Sequence, residues 1–243
     1  MSRTLRTTAL AAALVAAVAL PGLAAAQSPS AAPVASAAAT SAMDGTWTID
    51  HSIGSFDYDA ADFSGSWVGY RAQEELVGIG GTEAVGRTPD IDGSITLAGT
   101  QITAADLTAD LTTLRSDQSM RDGQLAMQGV QTSQFPTATF VLTQPIELGA
   151  IPAEGTPITA DAVGDLTLHG VTKNVTIPLN AVWQGDIIGV SGSISFPWED
   201  FGMTQPSSMR VVSLADTVTM ELQVFFRHDV AGAEASPAAS PAG

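Results

Sequence analysis

The side chains able to do chemistry are few and scattered. His51, His169 and His228 lie far apart, with no H-x-x-x-H spacing and no carboxylate set beside them. A zinc site needs three or four converging ligands, so no metal site is expected. There is no cysteine nucleophile and no G-x-S-x-G elbow. The acidic pairs Glu74-Glu75 and Glu199-Asp200 are adjacent, and neighbours on a strand face opposite ways, which is poor geometry for paired acid–base work. Only carboxylates from distant strands could converge as they do in glycosidases. The expectation is therefore no catalytic residues, no metal and no enzyme. Basic groups in the body are limited to Arg71, Arg87, Arg115, Arg121, Lys173, Arg210 and Arg227. Arg121, beside Asp122, suits a helix start and an ion pair, or a hydrogen bond to a polar group at a pocket mouth.

The elements that must position these residues begin well inside the chain. Arg3 and Arg6 precede an uncharged apolar run, Ala9 to Leu20, followed by Pro21-Gly22 and Ala24-Ala25-Ala26. That order reads as a secretory signal peptide over 1–26, cleaved near Ala26. The run is too short for the ~20 residues that span a bilayer. The protein is therefore expected to be secreted or periplasmic, with no stable membrane insertion after cleavage. Residues 27–44 and 230–243 are Ala/Ser/Pro tracts, expected to be a disordered linker and tail because they bury too little to offset ordering. Residues 45–229 are the size of one domain. With no cysteine, an exported domain must rest on its core. A net charge of −16 repels phosphate backbones and anionic headgroups, which excludes nucleic acid and electrostatic membrane docking.

Most of that body alternates with a period of two. Trp47–Asp50 is a short strand, and Ser66–Arg71 places Trp67, Gly69 and Arg71 opposite Ser66, Val68 and Tyr70. The Gly-rich stretch Leu76–Val85 suits a bend, bulge or strand corner. Ile91–Leu97 and Ile102–Leu114 alternate clearly. Asp165–His169 meets Asn174–Trp183 across Gly170-Val171-Thr172-Lys173 in a hairpin pattern. Ile187–Phe196 and Thr217–Phe226 follow, each with one apolar face, and Asp200-Phe201-Gly202 reads as a turn. One short helical insertion is expected near 119–134: Ser119 and Asp122 fit the S-x-x-D start signal, and Phe135-Pro136 the stop. Gly123 and Gly129 weaken it by roughly 1 kcal/mol each. Eight or more strands joined by short turns indicate an antiparallel barrel or sandwich, which periodicity does not separate. Small inward residues (Gly93, Ala105, Ala109, Ala138, Gly192) beside large ones fit either an interdigitated core or a narrow apolar tunnel.

Several motifs stand in one order: Trp47-Thr48-Ile49-Asp50, Arg121-Asp122 with Leu125, Phe135-Pro136-Thr137-Ala138-Thr139-Phe140, Gly164 to Lys173 (GDLTLHGVTK), and Asp200-Phe201-Gly202. In this the chain resembles the YceI-like family of exported bacterial lipid-binding proteins from about Gly45 to Phe226; the stretch Asp57 to Glu75 departs from the family's commonest pattern. The resemblance implies an all-β, lipocalin-like antiparallel β-barrel whose interior holds one long apolar molecule, an isoprenoid quinone or a polyprenyl chain, for transport, storage or stress protection. No other cofactor is implied, and the protein would be a monomer or homodimer. The side chains expected to line such a site are Trp67, Leu107, Leu125, Met127, Phe135, Ala138, Phe140, Leu166, Leu168, Val190, Phe196, Phe201 and Met220, with Arg121 at the mouth. So few cations favour a quinone, alcohol or amide head over a diphosphate. The competing expectation is a secreted all-β interaction or adhesion module with a filled core and no ligand.

Overall fold

A computed structural model of the chain describes residues 43–229. The signal peptide, nearly all of the linker and the C-terminal tail expected from composition lie outside the described residues. In chain order the strands are β1 (Gly45–Ile49), β2 (Trp67–Leu76), β3 (Gly80–Thr88), β4 (Ile91–Ala98), β5 (Gln101–Asp110), β6 (Arg115–Ser116), β7 (Thr137–Leu142), β8 (Ile146–Glu147), β9 (Ile158–Leu168), β10 (Val171–Gln184), β11 (Ile187–Pro197), β12 (Val211–Leu214) and β13 (Thr217–His228). Eight of them close a ring in the order β1-β4-β5-β7-β9-β10-β11-β13 and back to β1, all antiparallel. The closing pairs are Trp47 with His228 and Ile49 with Phe226. This settles barrel over sandwich. Closure is a long-range pairing, so the local alternation that both folds share could not reveal it.

The last strand forks. The C-terminal end of β13 completes the ring through β1, whereas Thr219–Gln223 pairs with Trp67–Arg71 of β2. β2 and β3 form a long hairpin with β6 on β3 and β12 on the far end of β2. The Gly-rich stretch is therefore mostly strand: Gly80 and Gly81 pair with Leu76 and Glu75, and the turn is confined to Val77–Ile79. The divergent segment before β2 packs outside the hairpin. Phe56, Tyr58 and Phe63 meet edge to face there, and the Tyr58 hydroxyl accepts from Arg87 N at 2.8 Å and donates to the Arg115 carbonyl.

The helical insertion sits at one end of the barrel, here called the upper end. Helix α1 (Ser119–Gln124) continues as a π-helical turn, Leu125–Gly129. Ser119 is its first residue and not its cap; the cap is Gln118, which makes no side-chain capping hydrogen bond. Asp122 reaches backwards instead, accepting from Ser116 N at 2.9 Å and Ser116 Oγ at 2.6 Å. The end also falls earlier than Phe135-Pro136, because Gln131 adopts φ 53°. β5 stops at Asp110, not Leu114; the Asp110 carboxylate accepts from Thr112 N and Oγ1 and turns the chain. The β9–β10 turn is tighter than the motif suggested. His169 (φ 52°) and Gly170 (φ 73°) alone form it, the two positive φ values that match the twist of a hairpin, while Val171–Lys173 are already strand.

The core follows the alternation. Ile91, Ile95 and Leu97 of β4 and Val218, Val224 and Phe226 of β13 are all buried. Met43, assigned to the linker by its Ala/Ser-rich surroundings, is buried as well, and its carbonyl accepts from Trp47 Nε1 at 2.9 Å. The Trp47 ring is also stacked on His228 at 4.5 Å.

Candidate functional site: an apolar column beneath a mouth groove

The inward side chains leave three adjoining spaces. The lower one, about 100 Å³, lies inside the ring among Ile95, Ile102, Leu107, Phe140, Leu166, Ile177, Val190, Leu222 and Phe226. Above it is a space of about 70 Å³ bounded by Leu111, Leu125, Val130, Leu168, Phe196, Trp198, Met203 and Val218. Val68, Ala138 and Met220 border both. The third is a groove of about 450 Å³ at the upper end, between β2, β3, α1 and the segment Pro206–Leu214; Tyr70, Leu125 and Trp198 divide it from the space below. The interior is thus neither an open tunnel nor a solid core. It is a row of voids separated by single layers of side chains.

Small residues create the voids. Ala105, Ala109, Ala138 and Ala162 line the lower one. Gly164 lets the Phe140 ring lie flat across the sheet, since a Cβ there would come within 2.4 Å of that ring. Gly192 has the opposite meaning. A Cβ there would meet Leu179 at 2.6 Å and the Pro178 carbonyl at 2.9 Å, so it marks tight contact between strands and not spare room.

Nine of the expected lining residues border these apolar spaces: Leu107, Leu125, Ala138, Phe140, Leu166, Leu168, Val190, Phe196 and Met220. Arg121 lines the mouth groove. Four do not line the column. Trp67 faces outwards with Arg71, and its ring and Phe63 hold the Arg87 guanidinium at 4.4 and 4.5 Å. The alternation of β2 allows either face inside, and Trp67 lies on the one that the structure turns outwards. Met127 is 67% exposed on the π-helical turn. Phe135 packs on the His169 ring at 4.4 Å and covers Gly170, outside the column. Phe201 is fully buried edge-on against Phe196 without bordering a void. The residues missed were the other face of β2, namely Val68, Tyr70, Ala72 and Glu74, and those delivered by the irregular segments, Trp198, Met203 and Pro206. The first group shares one face of β2, but alternation alone does not say which face turns inwards. No periodic signal marks the second.

One ionic cluster stands in the groove wall. Glu74 is only 6% exposed and accepts from Arg121 Nη2 at 2.6 Å. Arg121 also bonds the Asp117 carboxylate through Nη1. Burial works against the Arg121 cation, but the hydrogen bonds it donates to Glu74 and Asp117 carry its pKa above the usual value. The guanidinium is therefore permanently charged and already neutralised by the protein. Tyr70 lies beside this pair. Burial pushes its phenol pKa well up, and its hydroxyl has no hydrogen-bond partner among the described residues.

The histidines and acidic pairs have separate structural roles. His51 meets Asp92 at 3.1 Å, His169 Nδ1 donates to the Phe201 carbonyl at 3.1 Å, and His228 Nε2 donates to the Asp44 carbonyl at 3.0 Å. Glu74 is buried whereas Glu75 is exposed on the other face of β2, as strand alternation requires. Asp200 binds Lys173 Nζ at 2.6 Å.

Comparison with known proteins agrees with this architecture. A UPF0312 protein of Pseudomonas putida is 33% identical over 132 residues, covering 51% of this chain and 65% of that protein. One from Pseudomonas aeruginosa is 32% identical over 142 residues, covering 52% and 68%. The chain thus spans about two thirds of the length of the curated relatives it matches. Among solved structures, a polyisoprenoid binding domain from Saccharophagus degradans, implicated in plant cell wall breakdown, superposes with a TM-score of 0.56 at 17% identity, over 76% of this chain and 98% of that one. BcnA of Burkholderia cenocepacia gives 0.50 at 20% identity, over 65% and 95%. At these identities the likeness is one of fold. Residues 47–226 match the YceI-like domain, nearly the whole closed barrel with its mouth, and the chain belongs to that family.

Proposed function

We propose that this chain is an exported binding protein that takes one long apolar molecule of isoprenoid type, a polyprenyl chain or an isoprenoid quinone, into its barrel for carriage, storage or protection. The observation that carries this is the column itself. A groove of about 450 Å³ leads to two inner voids whose walls are almost wholly apolar, with the alanines of β5, β7 and β9 leaving the lower one unfilled. The binding of polyisoprenoid by the Saccharophagus degradans domain of the same fold supports the same reading.

The inner voids are small, so the guest must displace side chains as it enters. Met220 borders both voids and Met203 the upper one; their unbranched thioethers adapt more readily than branched side chains. The driving force is removal of hydrocarbon from water, roughly 25 cal/mol per Å², into a preformed barrel that needs little ordering. The head stays in the groove. Glu74 and Asp117 neutralise Arg121, so an uncharged quinone, alcohol or amide head fits better than a diphosphate.

Native mass spectrometry of protein purified from its own envelope tests the reading, and a copurified lipid mass is the expected result. Repeated absence of any such mass would leave the filled-core module. A plug in the column gives the second check. Ala138→Trp fills the boundary between the voids at an overpacking cost of about 1–3 kcal/mol and should abolish uptake with the far-UV spectrum intact. Unchanged uptake would remove the column from the mechanism. Gly192→Trp does not serve, because it strikes the Pro178 carbonyl and breaks the sheet.

A further inference from the structure

The rim of the groove carries a second surface, distinct from the column. Val77 and Ile79 form the exposed tip of the β2–β3 hairpin, Ile79 being 75% exposed. Met209, 100% exposed, stands beside that tip, where Val77 N donates to the Arg210 carbonyl at 2.9 Å. Met120, 61% exposed on α1, borders the same opening. Three separate segments therefore present large apolar side chains around one mouth, and all four border the groove. A clustered apolar rim of this kind marks a surface that meets something.

The charges indicate what it meets. Three ionic groups line the groove: Glu74, Arg121 and Arg210. Arg121 pairs with Glu74 at 2.6 Å and also with Asp117, and Arg210 is exposed and without an ion pair among the described residues. In a chain of net charge −16, an aliphatic and thioether ring whose surrounding charges, Glu74, Asp117, Arg121 and Arg210, sum to zero is an unusual local balance. It suits the boundary of a phospholipid bilayer, where the apolar side chains enter between headgroups and Arg210 bonds a phosphate.

We infer that the rim formed by Val77, Ile79, Met120 and Met209 with Arg210 is a peripheral docking surface for a phospholipid bilayer. It presses the groove against the membrane so that an apolar guest can pass without crossing water. The passage of a guest rests on the proposed function; the docking itself does not. Adhesion is apolar and not electrostatic, so the acidic body favours zwitterionic over anionic membranes and binding changes little with salt.

Cosedimentation of the mature protein with phosphatidylcholine vesicles free of isoprenoid tests docking independently of any guest. The wild-type chain is expected to sediment with these vesicles equally at low and high salt, and less with phosphatidylglycerol vesicles. Ile79→Asp combined with Met209→Asp, at exposed positions that leave the fold and melting temperature unchanged, should lower the bound fraction by roughly tenfold or more, and Arg210→Glu should lower it less. Failure of the wild-type chain to sediment would overturn the inference while leaving the lipid-holding role standing, as would equal binding by the double variant. Self-association in sedimentation velocity, abolished by the double variant and without vesicle binding, would overturn it in favour of a second copy on the rim.

Discussion

At the scale of single residues, the mouth holds the most deeply buried ion pair among the described residues, Glu74 with Arg121. Removing one partner of the Glu74–Arg121 pair leaves a buried charge unanswered. Arg121→Ala should cost about 3 kcal/mol in urea unfolding, and Glu74→Leu combined with Arg121→Met should recover most of it, because a well-packed apolar pair can replace a buried ion pair. A double variant as unstable as the single would show that the pair's charge, and not its desolvation, sustains the wall. Tyr70 gives the opposite expectation. Its hydroxyl is buried without a partner among the described residues, so Tyr70→Phe should stabilise the protein by about 1 kcal/mol. A fall in melting temperature would mean the hydroxyl is satisfied after all. Because burial pushes this phenol upward, Tyr70 should also be absent from a spectrophotometric titration over the ordinary tyrosine range.

At the scale of elements, closure of the ring depends on the meeting of β1, β11 and β13. Arg227 on β13 bonds Asp50, just past β1, and Asp186, just before β11. Hydrogen bonds from Ser52 and then Arg227 hold the Asp50 carboxyl at about 2, against an ordinary 3.8. A carboxyl lowered on folding contributes stability that is complete above its unfolded value and is lost as pH falls towards the folded one. The seam should therefore loosen between about pH 4 and pH 2, seen as faster amide exchange in β1 than in β10. Asp50→Asn should flatten that dependence, and an unchanged pH profile in the variant would place the acid sensitivity elsewhere. The insertion shows how elements can be foreseen in kind but not in detail. Two glycines and a proline foretold a short helix, but Asp122 anchors it to Ser116, and Leu125 closes its π-helical turn over the upper void.

At the scale of the whole molecule, the proposed function requires that a guest in the column, binding the folded state alone, raise its stability. On that proposal, protein loaded with lipid should unfold about 2.7 kcal/mol harder than delipidated protein when free lipid stands at about 100 times Kd. Calorimetry of the two forms checks this, and identical transitions would speak against a specific guest. The same scale explains where the structure differs from the sequence expectation. Trp67 faces outwards although it is expected inside, because strand periodicity says that two faces differ, not which one meets the barrel axis. Met127 and Phe135 sit in segments without a period, where only neighbours distant in sequence decide exposure.

Period-two alternation through β4, β5, β9, β10, β11 and β13, the short turns between them and the family motifs determined the β architecture and most of the apolar wall, because side-chain direction in a strand is a local property. Closure of β13 on β1, the fork that frees β2 and β3 to build a mouth, and the division of the interior into voids were decided only by tertiary structure. Each depends on pairings between residues far apart in the chain, and on whether side chains from opposite walls meet or fall short of one another, which no single strand records.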